Sequence, residues 1–168
     1  MTTQKREHYL SWDECFMHMA HLMSERSKDP NTQAGAVIVN PENIVVGLGY
    51  NGWPRGIHDD KLPWGREGSF LETKYAYVVH AEANAVYNSN APVSGCKIYV
   101  TLFPCNECAK AIIQNGIREV VFASDKYADQ DVFKASRNML ALAGINLREY
   151  IPQYKLKLNG FPPHEDSF

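Results

Sequence analysis

The sequence predicts an α/β protein: a three-layer α/β/α sandwich around a five-stranded mixed sheet, and two observations carry that expectation. From about residue 80 onward, runs of helical and strand period alternate with short connections, which requires parallel pairing with helices laid over the sheet. Before that, two β-branched runs separated by Asn40-Pro41-Glu42-Asn43 read as an antiparallel hairpin, so the sheet is mixed. With 168 residues, 45% of them hydrophobic, the chain supports one domain over 1–168 and not two.

Element by element, Ser11 followed by Glu14 reads as a capping box. Trp12, Cys15, Phe16, Met19, Leu22 and Met23 then recur at helical spacing until roughly Ser27. After the Asp29-Pro30-Asn31 break come the hairpin strands, Ala36 to Val39 and Ile44 to Tyr50. From Asn51 to about Val79 no period persists, and a stretch of roughly 29 residues exceeds ordinary loop length, which marks it as functional. The alternating part follows: helix from His80 to about Asn90, strand Lys97 to Leu102, helix Cys105 to Asn115, strand Arg118 to Ala123, helix Asp129 to Ala143, strand Ile145 to Tyr150. Gly116 and Gly144 stand where helix C-caps belong, and the tail from Pro152 to Phe168 is expected to be irregular at its end.

A net charge of −2 with no block of like charge disfavours coating of nucleic acid. The longest apolar runs are far shorter than a membrane helix, and MTTQKREHYL lacks the apolar run of a signal peptide, so a soluble cytoplasmic protein is expected. Four cysteines are too few for a disulfide scaffold, and Cys105 with Cys108 suits a metal or redox unit.

His80-Ala81-Glu82 opens one helix and Pro104-Cys105-Asn106-Glu107-Cys108 the next. One imidazole and two thiolates make a three-ligand Zn²⁺ site whose fourth position stays open for water, as a catalytic zinc requires. The thiolates cancel the metal's charge, and two helix N-termini suit the anion that forms there. Glu82, two residues from His80, faces the same water without ligating and serves as acid/base for expelling ammonia. H-x-E with P-C-x-x-C is the pattern of zinc nucleobase deaminases.

SKDPNTQAGAVIVN, GYNGWPRG, DDKLPW, HAEANAV, TLFPCNECAKAIIQ and SDKY, spread over about residues 9 to 155, resemble the deoxycytidylate (dCMP) deaminase family. The resemblance implies the cytidine-deaminase fold, conversion of dCMP to dUMP for thymidylate synthesis, zinc on His80, Cys105 and Cys108, and Glu82 as acid/base. It implies sugar contact by Asn31, a pyrimidine carbonyl on the Ala81 N–H, and the 5′-phosphate on Arg26, Lys28 and Tyr127. It further implies a homohexamer activated by dCTP and inhibited by dTTP. Gly49, Tyr50, Asn51 and Gly52 would help form the effector site, with Mg²⁺ accompanying the triphosphate.

Plainer readings stand beside these. Arg26 and Lys28 also read as solvated charges, Tyr127 as packing, Asn31 and Tyr50-Asn51 as turn residues, and Asp59 and Asp60 read either as Mg²⁺ ligands or, more plainly, as solvated acids. Trp53 and Trp64 read either as a cover on the site or as subunit packing. Cys15, His18 and His21 step around a helix surface, so no second zinc is expected there, and His8, His58 and His164 have no ligand-spaced partners. The competing functions are deamination of deoxycytidine or dCTP and, from another class, a non-catalytic zinc module that would need a fourth protein ligand.

Overall fold

The computed structural model describes residues 3–155, 157 and 158; His164 and the end of the tail lie outside them. The strands are β1 (Gly35–Val39), β2 (Val45–Tyr50), β3 (Lys97–Val100), β4 (Glu119–Phe122) and β5 (Asn146–Glu149). They form one sheet in the order β2-β1-β3-β4-β5. β1 runs antiparallel to both its neighbours, whereas β3, β4 and β5 are parallel. The helices are α1 (Trp12–Ser24), α2 (Ala81–Tyr87), α3 (Asn106–Gln114) and α4 (Asp131–Leu142). Each expected element is present, with helix ends drawn in by a few residues. Gly116 and Gly144 follow α3 and α4 at φ of 72° and 70°, the left-handed turn that stops a helix.

The period-two pattern of the strands sorts their side chains to two faces. Val37, Val39, Tyr99 and Val121 meet Phe16, Met17 and Ala20, so among the described residues α1 is the helix that covers that face. Ala36, Ile38, Ile98, Val100, Val120 and Phe122 meet α2, α3 and α4 through Ala81, Ala85, Ala109, Ile112 and Leu140. Every residue of β1 is buried, which explains its unbroken apolar run GAVIV. Truncating a residue such as Ile38 to Ala would cost about 2–5 kcal/mol.

The buried stripe of α1 differs from the expected one. Trp12 and Leu22 are 60% and 47% exposed, while Met17 and Ala20 are fully buried. The spacing criterion finds a helix but does not choose between neighbouring stripes, and the sheet has room for small Ala20 where Gly35 comes up against its carbonyl. The capping box is half formed. The Ser11 hydroxyl accepts from the Glu14 N–H at 3.1 Å, but the Glu14 carboxylate turns away to accept from the Tyr150 hydroxyl and the Gln153 and Tyr154 amides.

Antiparallel pairing of β1 with β3 sets Ala36 against Val100, so β1 starts at the end of the sheet where β3 finishes. At that end the chain enters β1 through residues 29–34, leaves β2 through Asn51, and leaves β3 through Phe103 to Cys105. Gly52 and Val79 exchange two backbone hydrogen bonds of 3.1 and 2.8 Å, which delivers His80 to the same place. Between them, residues 51–79 carry only two short 3₁₀ turns, Phe70–Glu72 and Lys74–Ala76. Among the described residues, no helix is long and apolar enough to cross a membrane.

Candidate zinc site

His80 and Cys105 are the N-cap residues of α2 and α3, both in extended conformation, and Cys108 lies in the first turn of α3. Helix starts suit thiolates because their unpaired N–H groups and dipoles favour negative charge. Gly49 makes the approach possible: a Cβ there would stand 2.1 Å from the Ala81 carbonyl oxygen, so any larger residue would push α2 off β2.

The Sγ atoms of Cys105 and Cys108 lie 3.3 and 3.4 Å from His80 Nδ1. A tetrahedral zinc with ordinary Zn–S and Zn–N bonds holds its nitrogen and sulfur ligands about 3.6 Å apart, so the donor set fits the metal through Nδ1. Among the described residues this is the one group of three or more His, Cys, Asp or Glu side chains able to hold an ion, and three donors leave a fourth position free. His18 instead contacts Glu14 at 3.0 Å, and His21 is buried in α1, its pKa lowered to about 4 by burial and by His18.

Without metal, the cluster shares its protons unequally. Hydrogen bonding to Cys105 raises His80 to about 9 despite its burial. The hydrogen bond from Cys108, helped by His80, lowers Cys105 to about 4, and the Cys108 thiol is correspondingly raised. Glu82 is 7% exposed, and burial raises its pKa above the usual carboxylate range. A carboxyl that holds a proton easily beside an open zinc position is equipped to move protons, and the four groups together define a hydrolytic zinc centre.

Residues 10–124 match the family described as cytidine and deoxycytidylate deaminase zinc-binding region. The chain belongs to that family. It is 56% identical over 155 residues to deoxycytidylate deaminase of Homo sapiens, covering 91% of this chain and 87% of that one. It is 50% identical over 173 residues to probable deoxycytidylate deaminase of Drosophila melanogaster, covering 98% and 85%. The crystal structure of dCMP deaminase from the cyanophage S-TIM5 in complex with dCMP and dUMP shares the fold, with a TM-score of 0.68 at 24% identity over 84% of this chain and 100% of that chain.

The remaining candidates fall into three places. Asn31 is at the zinc end of the sheet; its N–H donates to Asp29 Oδ1 at 2.9 Å and its Nδ2 to the Trp64 carbonyl at 3.2 Å. Ala81 is the first residue of α2, so its N–H has no acceptor within the helix. Tyr127 follows β4 and stacks on Phe133, with Lys126 Nζ 5.4 Å from its ring centre.

Arg26, Lys28, Tyr50 and Gly52, assigned by the resemblance to two different sites, line one cavity of about 300 Å³ together with Trp53, Asn84 and others. Arg26 lies over the Tyr50 ring at 5.8 Å, and Lys28 pairs with Asp59. Trp53 and Trp64 pack on each other with ring centres 4.0 Å apart, and both indoles donate to the Asp59 carbonyl. Gly49 and Asn51 do not line this cavity: Gly49 admits α2, and Asn51 is buried with its amide bonded to residues 29–34.

Three residues near the site escaped the sequence reading. Asp29 and Lys74 form a buried ion pair. Arg137 of α4 lies 4.3 Å over the Phe103 ring, two residues before Cys105, and pairs with Asp125. None has a local signal, because each partner is supplied by a distant part of the chain.

Proposed function

We propose that this chain catalyses the zinc-dependent hydrolytic deamination of dCMP to dUMP and ammonia, with residues 1–168 acting as one catalytic domain in the cytoplasm. The observation that carries this reading is the buried Glu82 beside the three-donor set of His80, Cys105 and Cys108. Zinc, when bound, makes water acidic enough to act as the nucleophile at the ring carbon bearing the amine.

The chain's own groups do the rest. Glu82, starting ionised, would take the two protons of that water in turn, hand the first to the ring nitrogen and the second to the departing amine, and end ionised again, so water in and ammonia out balance. The Ala81 N–H holds the ring carbonyl, Asn31 the sugar, and Tyr127 the 5′-phosphate. Arg26 and Lys28 add positive charge for nucleotide phosphate. The decisive experiment is the ultraviolet absorbance change of zinc-loaded protein with dCMP, with deoxycytidine and dCTP in parallel. Turnover of dCMP alone supports the reading; turnover only of deoxycytidine or dCTP overturns the phosphate assignment, and no turnover overturns the enzyme.

Control by effectors belongs to the same reading: dCTP activates, dTTP inhibits, and Mg²⁺ accompanies the triphosphate in a homohexamer. The cavity supports placing the effector on Tyr50 and Gly52, and it favours a second role for Arg26 and Lys28, because neither a zinc ligand nor Glu82 lines it. Arg26→Ala separates the roles: a raised KM for dCMP assigns it to substrate, a lost response to dCTP at unchanged KM to effector. Superimposable saturation curves with and without dCTP and dTTP would remove the effectors, and light scattering reads the assembly.

A further inference from the structure

Asp29 and Lys74 pair at side-chain exposures of 1% and 6%, where neither metal binding nor proton transfer uses them. Removing two charges from water is costly, and an apolar pair of similar volume commonly holds two segments as well or better. Stability alone therefore does not account for the pair, and its surroundings suggest what does. Asp29 Oδ1 accepts from the N–H groups of Asn31 and Thr32 at 2.9 and 3.2 Å. Its Oδ2 accepts from Lys74 Nζ and from Asn51 Nδ2. Asn51 in turn donates to the Thr32 carbonyl at 2.9 Å and accepts from the Ala34 N–H at 2.8 Å. One carboxylate and one amide thus hold the Asn31, Thr32 and Ala34 N–H groups and the Thr32 carbonyl.

Lys74 joins this wall to the opposite one. Its own N–H donates to the Gly65 carbonyl at 3.0 Å, and the neighbouring Trp64 carbonyl accepts from Asn31 Nδ2. Five residues further along the chain from Lys74, Val79 pairs with Gly52 just before His80. One lysine therefore spans the aperiodic stretch, the α1–β1 connection and the approach to the zinc ligand.

We propose that Lys74 is a positioning residue for the deamination: through Asp29 it sets Asn31 against the sugar of the nucleotide and so fixes how the ring enters the zinc site. The inference rests on the dCMP reading above. Lys74 touches no reacting atom; acting through Asn31, its loss is non-additive with the loss of Asn31.

The test compares wild type, Lys74→Met, Asn31→Ala and the combination of both, with zinc content and thermal unfolding measured for each. Because Lys74→Met strands the Asp29 charge, Asp29→Asn/Lys74→Met is made as well; it removes both charges and keeps an acceptor oxygen for the Asn31 and Thr32 amides. The expected result is a fall in kcat/KM for dCMP of about tenfold or more, carried mainly by KM, in the folded, zinc-holding Lys74 variants. In the Asn31→Ala background, removing Lys74 costs less than about twofold further. The ratio of kcat/KM for dCMP over CMP shifts in the same direction for the Lys74 and Asn31 variants. Full multiplication of the two losses, a loss confined to kcat, or loss of folding in every Lys74 variant would each overturn the proposal. Wild-type inactivity toward dCMP, read first, overturns the functional reading instead, and the inference with it.

Discussion

Glu14 and Glu82 occupy the first turns of helices on opposite faces of the sheet, both are buried, and their surroundings treat them in opposite ways. Burial pushes the Glu14 carboxyl up, but the Tyr150 hydroxyl and the amides of Tyr154 and Gln153 outweigh it and hold the pKa below its ordinary value of 4.5. Glu82 has a smaller set of donors, the Cys108 thiol and its own amide: burial dominates, and neighbouring His80 together with these donors only partly offsets it. A carboxylate saturated with hydrogen bonds is fixed as an anion and works as a fastener. One less fully supplied holds a proton more readily, which suits it to the acid/base role proposed above.

The contrast is broken most sharply at Glu82. Glu82→Gln is expected to lower dCMP turnover by about 10³-fold, within the range of a lost acid/base, while zinc stays bound and the unfolding temperature does not fall. Zinc lost together with activity would show that Glu82 holds the metal site rather than protons. Glu14→Gln is expected to do the reverse: about 2–3 kcal/mol of stability lost in a urea titration, because buried donors lose a charged acceptor, with kcat of the folded enzyme unchanged.

Acid sharpens the same comparison. Since the folded pKa of Glu14 is lowered, its stabilising effect is complete above the ordinary carboxylate value of 4.5 and is lost as pH falls through the folded value. His21, lowered from 6.5 to about 4, is likewise most favourable while neutral, and its share is lost as pH falls from 6.5 toward 4. Glu14→Gln should therefore flatten stability against pH only below about 4.5, which urea titrations between pH 3 and 7 would read. At the zinc site, metal binding to apo protein at pH 7 should release about two protons, one from His80 and one from Cys108, because Cys105 is already ionised. Calorimetry in buffers of different ionisation enthalpy counts them; none released would mean that the metal-free cluster is already deprotonated. The smallest effect is expected from Ser11→Ala, which removes the one remaining half of the α1 cap at about 1 kcal/mol.

Glu14 also shows where sequence reading stops. Ser11 and Glu14 have the spacing of a capping box, and the Ser11 half forms because it depends only on local backbone. The Glu14 half is taken over by partners 136 to 140 residues away, which no local pattern contains. The zinc ligands were legible for the opposite reason: H-x-E and P-C-x-x-C place their donors within single helix starts, and only the meeting of the two starts needed the sheet. The mixed sheet was legible from period and connection length. The shared cavity of Arg26, Lys28 and Tyr50 was not, because residues before β1 and at the end of β2 come together only through the hairpin pairing of Gly35 with Tyr50. Asp29 with Lys74 lay beyond reach for the same reason, one partner being inside a stretch without period.

The Glu14 fastener has a consequence for how the chain is made. Synthesis runs from the N-terminus, and α1 emerges from the ribosome long before the residues that complete its buried carboxylate. Phe16, Met17 and Ala20 find Val37 and Val39 early, but Tyr99 and Val121 arrive later, and the hydroxyl and amides at 150–154 come near the end of the described chain. Until then Glu14 lacks these partners, so the hydrogen bonding of the first helix is completed only by residues from the far end of the domain.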